Sequence, residues 1–314
     1  MPTMRILVSG SSGYVGSRLI PRLSRDGHTV RGLSRRPASA HSGSPSAAAA
    51  VTVVTGDAVS GAGLQEAFDG IEVAYFLIHS MEPSPDGEFQ TRERRAAENF
   101  ARAARAAGVR RIVYLGGLVP ADGPASVHLA SRLAVEEILL AAAPCSVALR
   151  ASIIIGAGSR PFRFLVRLVE RLPVLAVPAW HVRRTTPIDE RDVVELLARA
   201  ATNEEVCGQS LDIGGSETVS YGELIDMIRD HLLVARPTIS FKRLMLTPIA
   251  SRISALIADE QYELIGPLMG SLGEDLLMRD HRAAEILGVH MHSLDAAIEH
   301  ALAEWETTEP LAAR

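Results

Sequence analysis

The stretch Ile6-Leu7-Val8-Ser9-Gly10-Ser11-Ser12-Gly13-Tyr14-Val15-Gly16 decides the fold. An apolar strand runs directly into glycines in a G-x-x-G-x-x-G spacing, and Arg18-Leu19-Ile20 to Leu23 continues as a helical pattern. The first glycine permits a sharp turn, the second lets backbone approach a pyrophosphate, and the third lets the helix pack on the strand. The N–H groups at the helix start then face the anion. This context predicts a dinucleotide-binding turn.

Working outward, His28-Thr29-Val30-Arg31-Gly32-Leu33 reads as a second strand, and strand-like runs alternate with helical runs through the first two thirds of the chain. That alternation predicts an α/β fold, a doubly wound parallel sheet of the Rossmann type covered on both faces. The expected strands are Arg5 to Ser9, Thr29 to Ser34, Val51 to Thr55, Val73 to His79, Arg111 to Gly116, Ser146 to Ala151 and Ser210 to Ile213. Helices are expected near 14–26, 62–68, 88–107, 126–143 and 190–201. In the 88–107 helix Phe89, Ala96, Phe100, Ala103 and Ala107 share one face, whereas Arg92, Glu93, Arg95, Arg102 and Arg105 lie largely away from it. Residues 1–235 are read as the dinucleotide-binding core, with a substrate-side segment at 156–188 interleaved. Residues 236–314, where the alternation fades, are read as a smaller substrate or interface lobe.

The 314 residues carry a formal net charge of -5. Without a clustered basic surface, a nucleic-acid partner is not expected; a small-molecule substrate or regulatory ligand is. Cys145 and Cys207 have no paired metal spacing, so no zinc site and no disulfide framework is expected. No opening signal-like stretch and no run of about 20 apolar residues occurs, which reads as a soluble cytoplasmic protein. The apolar stretches Leu244 to Ile257 and Tyr262 to Leu272 are broken by proline, glycine and arginine and suit a pocket or interface. Peripheral membrane contact and homo-oligomer formation stay open. The Ser-, Ala- and Gly-rich run Pro37 to Ala50 reads as a loop beside the adenosine end.

A second strand ending in Asp or Glu suits NAD, because a carboxylate accepts hydrogen bonds from the ribose hydroxyls. Here the strand ends in Ser34-Arg35-Arg36, and no acidic residue lies between Asp26 and Asp57. A guanidinium fork matches a 2′-phosphate in charge and shape, so the expected cofactor is NADP(H). The expected cofactor-binding residues are Gly10, Ser12, Gly13, Tyr14, Val15, Gly16, Ser34, Arg35, Arg36, Asp57, Ala58, Leu77, Ile78, His79, Arg132 and Ile153.

These features resemble the short-chain dehydrogenases/reductases, and within them the extended and atypical branch with NmrA-like proteins and the NADPH-holding accessory subunit of respiratory complex I. The resemblance covers nearly the first 235 residues. Its carriers are the glycine turn, Gly56-Asp57, Asn99, the run Ala106 to Tyr114, the run Leu149 to Gly156, Pro187-Ile188 with Asp192-Val193, and Asp212-Ile213-Gly214-Gly215. The resemblance implies a catalytic tyrosine with a lysine four residues later and a hydroxyl residue at the end of the fifth strand. This chain departs from that pattern. Its one lysine is Lys242, preceded four residues earlier by Thr238, and none of its five tyrosines has a lysine at that spacing. His128 stands at the tyrosine position, Arg132 at the lysine position, and the fifth strand ends in Gly116-Gly117.

Two readings follow. In one, His128, with an ordinary pKa of about 6.5, relays a proton while Arg132 binds the nicotinamide ribose. The protein is then an NADPH-dependent oxidoreductase of a small apolar carbonyl, enone or quinone. In the other, the pair lines a site that binds NADPH without chemistry, as in a sensor or assembly module. Sugar-nucleotide epimerase or dehydratase activity fits less well because it depends on the missing dyad, although Arg160, Arg163, Arg167, Arg171, Arg183 and Arg184 suit a diphosphate. The helical spacing of Phe164, Leu165, Leu168 and Leu172 reads first as a core face and second as pocket lining.

Overall fold

The computed structural model describes residues 3–35, 51–78, 89–120, 123, 126–172, 175–177, 179–235, 238–240 and 273–311. Strand β1 (Arg5–Ser9) lies between two neighbours and contributes Ile6, Leu7 and Val8, all fully buried. Ile6 and Val8 enter one core and Leu7 enters another, because side chains alternate across a strand and this sheet is covered on both faces.

The other strands of the sheet are β2 (Thr29–Ser34), β3 (Thr52–Thr55), β4 (Val73–Phe76), β5 (Arg111–Gly117), β6 (Val147–Ala151) and β7 (Ser210–Ile213). Their order is β7-β6-β5-β4-β1-β2-β3, and every pair is parallel. The order reverses beside β1, so a crevice opens at the carboxyl ends of β1 and β4, where ligands sit in open α/β sheets.

The described helices are α1 (Tyr14–Arg25), α2 (Leu64–Phe68), α3 (Phe89–Ala106), α4 (Val127–Leu140), α5 (Arg160–Arg171), α6 (Glu190–Ala200), α7 (Tyr221–His231), α8 (Arg282–Leu287) and α9 (Leu294–Glu306). Helices α1, α6 and α8 cover one face of the sheet, through Leu19, Leu23, Val193, Leu197 and Leu287. Helices α2, α3 and α4 cover the other through Phe68, Phe100, Val135 and Leu139. A third core joins α5, α7 and α9 around Phe162, Trp180, Ile298 and Trp305.

The doubly wound parallel sheet matches the sequence expectation, with differences at its ends. Strand β4 stops at Phe76, and β3 starts at Thr52. Arg36, His79 and the stretches 37–50, 244–257 and 262–272 lie outside the described residues. Glu93 departs from its expected place on the polar face of α3. It is 6% exposed and accepts a hydrogen bond from Ser131 Oγ at 2.8 Å, because α4 packs along that side of α3. Phe164, Leu165 and Leu168 do form a core face.

The cysteines also depart from the expectation. Cys145 and Cys207 are joined as a disulfide across 62 residues of sequence, at the starts of the neighbouring strands β6 and β7. Parallel pairing of those strands brings together two residues that sit just ahead of each.

Phe100 is fully buried, with Phe68 edge-on at 4.8 Å between centroids and Phe76 edge-on at 5.0 Å. Removing its ring empties the core under α3, so Phe100→Ala is expected to cost about 3–5 kcal/mol of unfolding free energy. Denaturant unfolding with an unchanged midpoint would contradict this packing.

Candidate functional site

The turn after β1 is shaped by backbone contacts that no side chain would tolerate. Gly10 has φ +70°, and a Cβ there would lie 2.9 Å from the Leu77 carbonyl oxygen on the neighbouring chain segment. A Cβ on Gly16 would collide with the Gly10 carbonyl, and one on Gly13 would lie 3.0 Å from the same oxygen. Helix α1 therefore starts directly against the strand.

Gly13 caps α1 without any side chain to accept its first N–H groups, and the first turn holds no acidic residue. Such an N-terminus suits an anion, since partial positive charge and free donors point the same way. Two buried serines fix the turn. Ser9 Oγ donates to the Tyr75 carbonyl at 2.8 Å and accepts from the Leu77 N–H at 3.3 Å. Ser11 Oγ donates to the Leu33 carbonyl at 3.0 Å, and Gly32 leaves the space that Ser11 occupies.

A cavity of about 730 Å³ opens above this turn. Gly10, Ser12, Gly13, Tyr14, Val15 and Gly16 line its floor; Ser34, Arg35, Asp57 and Ala58 line one end. Leu77 and Ile78 line the cavity beside the turn, where the Leu77 backbone packs on Gly10, and His128, Arg132 and Ile153 line the other end. Every expected site residue among the described ones thus meets in one cavity. At the Asp57 end, Asp57 Oδ1 accepts the Val59 N–H at 2.9 Å. Asn99 reaches over from α3 and donates from Nδ2 to the carbonyls of Ala58 and Val59, each at 2.9 Å. Asn99 was only a family marker in the sequence; its work is to hold this turn from behind.

At the opposite end, His128 and Arg132 are one turn apart on α4, whose start is capped by Ser126 Oγ accepting from Leu129 N–H at 3.1 Å. Arg132 donates from an Nη to the Leu115 carbonyl at 3.0 Å. A Cβ on Gly117 would lie 3.4 Å from Arg132 Nε. The end of β5 thus packs against the Arg132 side chain at ordinary contact distance. The Glu93 carboxylate faces the same arginine from α3, and burial raises it above the usual carboxylate range against the pull of Arg132 and Ser131.

Burial, reinforced by the Arg132 charge, pushes His128 down to about 4. The ordinary value of about 6.5 expected from sequence does not hold, because the imidazole has left water beside a cation. At neutral pH His128 is an uncharged ring, stacked obliquely 5.6 Å from Phe89.

The rest of the wall combines residues not singled out in the sequence with the start of the expected substrate-side segment. Leu118, Leu129 and Leu276 supply an apolar side, and Ser159, Arg160 and Pro161 bring the start of α5 to the rim. Phe162, Phe164 and Trp180 do not reach the cavity; they fill the third core. Tyr14 packs its ring against Gly156 and Gly158, and its hydroxyl donates to Glu190 at the start of α6. No helix among the described residues is long and apolar enough to cross a membrane.

Comparison with known proteins adds three findings. Residues 10–154 match a family described as NAD(P)H-binding. A ceramide reductase of Caulobacter vibrioides is 31% identical over 172 residues, which are 55% of this chain and 53% of that protein. The match thus spans about half the length of the curated relative. Among solved structures, MoeE5 in complex with UDP-glucose and NAD superposes with a TM-score of 0.70 at 21% identity, covering 96% of this chain and 98% of MoeE5. The UDP-N-acetylglucosamine 4-epimerase of Bacillus cereus superposes with a TM-score of 0.69 at 16% identity, covering 99% of this chain and 100% of the epimerase. Likeness at that identity shows the shared fold. Residues 10–154 thus match an NAD(P)H-binding family, within a chain whose fold is Rossmann-like.

Proposed function

We propose that the protein is an NADPH-dependent oxidoreductase acting on an apolar carbonyl, enone or quinone, working without a tyrosine–lysine dyad. The observation that carries this reading is the single cavity that joins the glycine turn and Arg35 to His128, Arg132 and an apolar wall of Leu118, Leu129 and Leu276. The similarity to a ceramide reductase supports both the reduction and an apolar, lipid-like oxo substrate. A sugar nucleotide fits the wall less well, because the described surface near His128 is mostly leucine and isoleucine.

The glycine turn and the α1 N-terminus hold the pyrophosphate, and Arg35 at the end of β2 takes the 2′-phosphate. Arg132, fixed by the Leu115 carbonyl, places a permanent charge at the nicotinamide ribose. The chemistry that a reduced nicotinamide held there would supply is hydride for a substrate carbonyl carbon. His128, uncharged, offers an N–H to the oxygen on which negative charge develops; a neutral ring is a preorganised donor whose proton is not lost between turnovers. The proton that finally neutralises the oxygen comes from solvent.

One observation favours a second reading, a non-catalytic NADPH-binding sensor or assembly module. Strand β5 ends in Gly116-Gly117 and brings no hydroxyl to the reacting end. The two readings share the cofactor and differ in turnover.

Assay of NADPH oxidation with long-chain ketones, enones and quinones separates them, and His128→Ala is expected to lower kcat by roughly 100-fold or more, the scale of a lost oxyanion donor. A flat response from both proteins across the panel would leave the sensor. Because His128 titrates near 4, the rate should show no ionisation from this ring between about pH 6 and 9. A rate limb near pH 6.5 that disappears in the alanine variant would contradict the neutral-donor role. For the cofactor, Arg35→Ala is expected to weaken NADPH binding by about 1–3 kcal/mol while leaving NADH nearly unaffected. Equal losses for both nucleotides would remove Arg35 from 2′-phosphate recognition.

A further inference from the structure

The aromatic ring of the glycine turn does more than fill space. Tyr14 is the first residue of α1 and lines the cavity, so its backbone belongs to the anion-binding end of the helix. Its side chain runs the other way, into a slot left by Gly156 and Gly158 just before α5; a Cβ at either position would overlap the phenol ring or hydroxyl. At the bottom of the slot the hydroxyl donates to Glu190, a carboxylate whose side chain is 4% exposed and which lies 176 residues away in sequence.

Glu190 is also met from two further sides. Arg18, one turn beyond Tyr14 on α1, approaches it to 3.2 Å and at the same time pairs with Glu304 of α9. His300 of α9 stands 4.0 Å away, Glu304 adds a like charge, and Arg191 follows it on its own helix. A single buried carboxylate thus ties the phosphate-binding turn to α6 and, through Arg18 and Glu304, to α9.

We propose that Tyr14 and Glu190 form a proton-coupled clasp, in which the Glu190 carboxylate takes up a proton from solvent as the dinucleotide pyrophosphate settles on the start of α1. This rests on the NAD(P)H-binding reading of the cavity. The reason is electrostatic. Before binding, the Glu190 anion has the Tyr14 hydroxyl and the Arg18 guanidinium to stabilise it. Binding brings two further negative charges to the helix end that carries Tyr14, and the buried carboxylate lies at the far end of that residue's side chain. An added negative charge felt by a desolvated carboxylate favours its neutral acid.

The group is poised for this. Burial, with Glu304 adding to it, already pushes Glu190 up to about 7 against the opposing pull of Tyr14 and Arg18. A further rise on binding falls where the solution pH is itself near the midpoint. Tyr14 stays a neutral phenol throughout, since burial and the adjacent carboxylate hold it well above its ordinary range. By linkage, a group that binds more protons in the complex makes affinity rise as pH falls.

Isothermal titration of the full chain with NADPH in two buffers of different ionisation heat counts the protons taken up. At pH 7.5 wild type is expected to take up on the order of half a proton more than Glu190→Gln, and its affinity to weaken roughly fivefold from pH 6.5 to pH 8 relative to that variant. Comparison between the two proteins cancels the proton carried by the 2′-phosphate of NADPH itself. Tyr14→Phe provides the same test should Glu190→Gln not fold. It keeps the ring in the glycine slot but removes the hydrogen bond that favours the ionised carboxylate, so its uptake should fall below that of wild type. Equal proton counts in wild type and the folded variant would overturn the clasp and leave cofactor binding intact. No binding of NADPH by wild type would overturn both.

Discussion

Everything else in this molecule depends on the unfilled backbone donors at the start of α1. Gly13 caps the helix with no side chain, and Gly10 and Gly16 pack so closely that the helix begins where β1 ends. Ser9 and Ser11 then lock that turn to β4 and β2 from beneath. A helix end left open in this way is stabilised by an anion, and the parallel order on either side of β1 makes the crevice in which a dinucleotide extends. The Asn99 amide and the Asp57 carboxylate shape one end of that crevice, and α4 shapes the other.

At the α4 end His128 and Arg132 lie one turn apart and line the same cavity. Arg132 is anchored on the Leu115 carbonyl and packs beside Gly117 at ordinary contact distance. That cation, together with burial, is what strips the charge from His128. The chemistry proposed for the site follows from this linked set: a permanent charge at the ribose and a neutral ring as hydrogen-bond donor.

Local patterns were legible in the sequence, and distant encounters were not. The glycine spacing and the apolar strand runs are properties of neighbouring residues, and β1, α1, β2 and α6 fall within a residue or so of their expected bounds. The stripe of α3 was legible only in part: Ala96 and Phe100 are buried as expected, but Ala107 is exposed, and Ala97, Ala101 and Ala104 join the core instead. The cavity-lining set drawn from the sequence also meets as one surface. Glu93 was misplaced because its burial comes from α4 packing on α3, which periodicity within α3 cannot report. The pairing of Cys145 with Cys207 needs the adjacency of β6 and β7, and Tyr14 with Glu190 needs the return of the chain to the first helix. The depressed pKa of His128 depends in the same way on burial and on where Arg132 lies.

The measurement that bears most directly on the central claim is a calorimetric titration of the intact chain with NADPH and with NADH. The account predicts saturable binding at one site per chain, tighter for NADPH. Absence of saturation with either nucleotide up to millimolar concentration would contradict it, since the open helix end and its glycine-packed turn would then serve no dinucleotide at all.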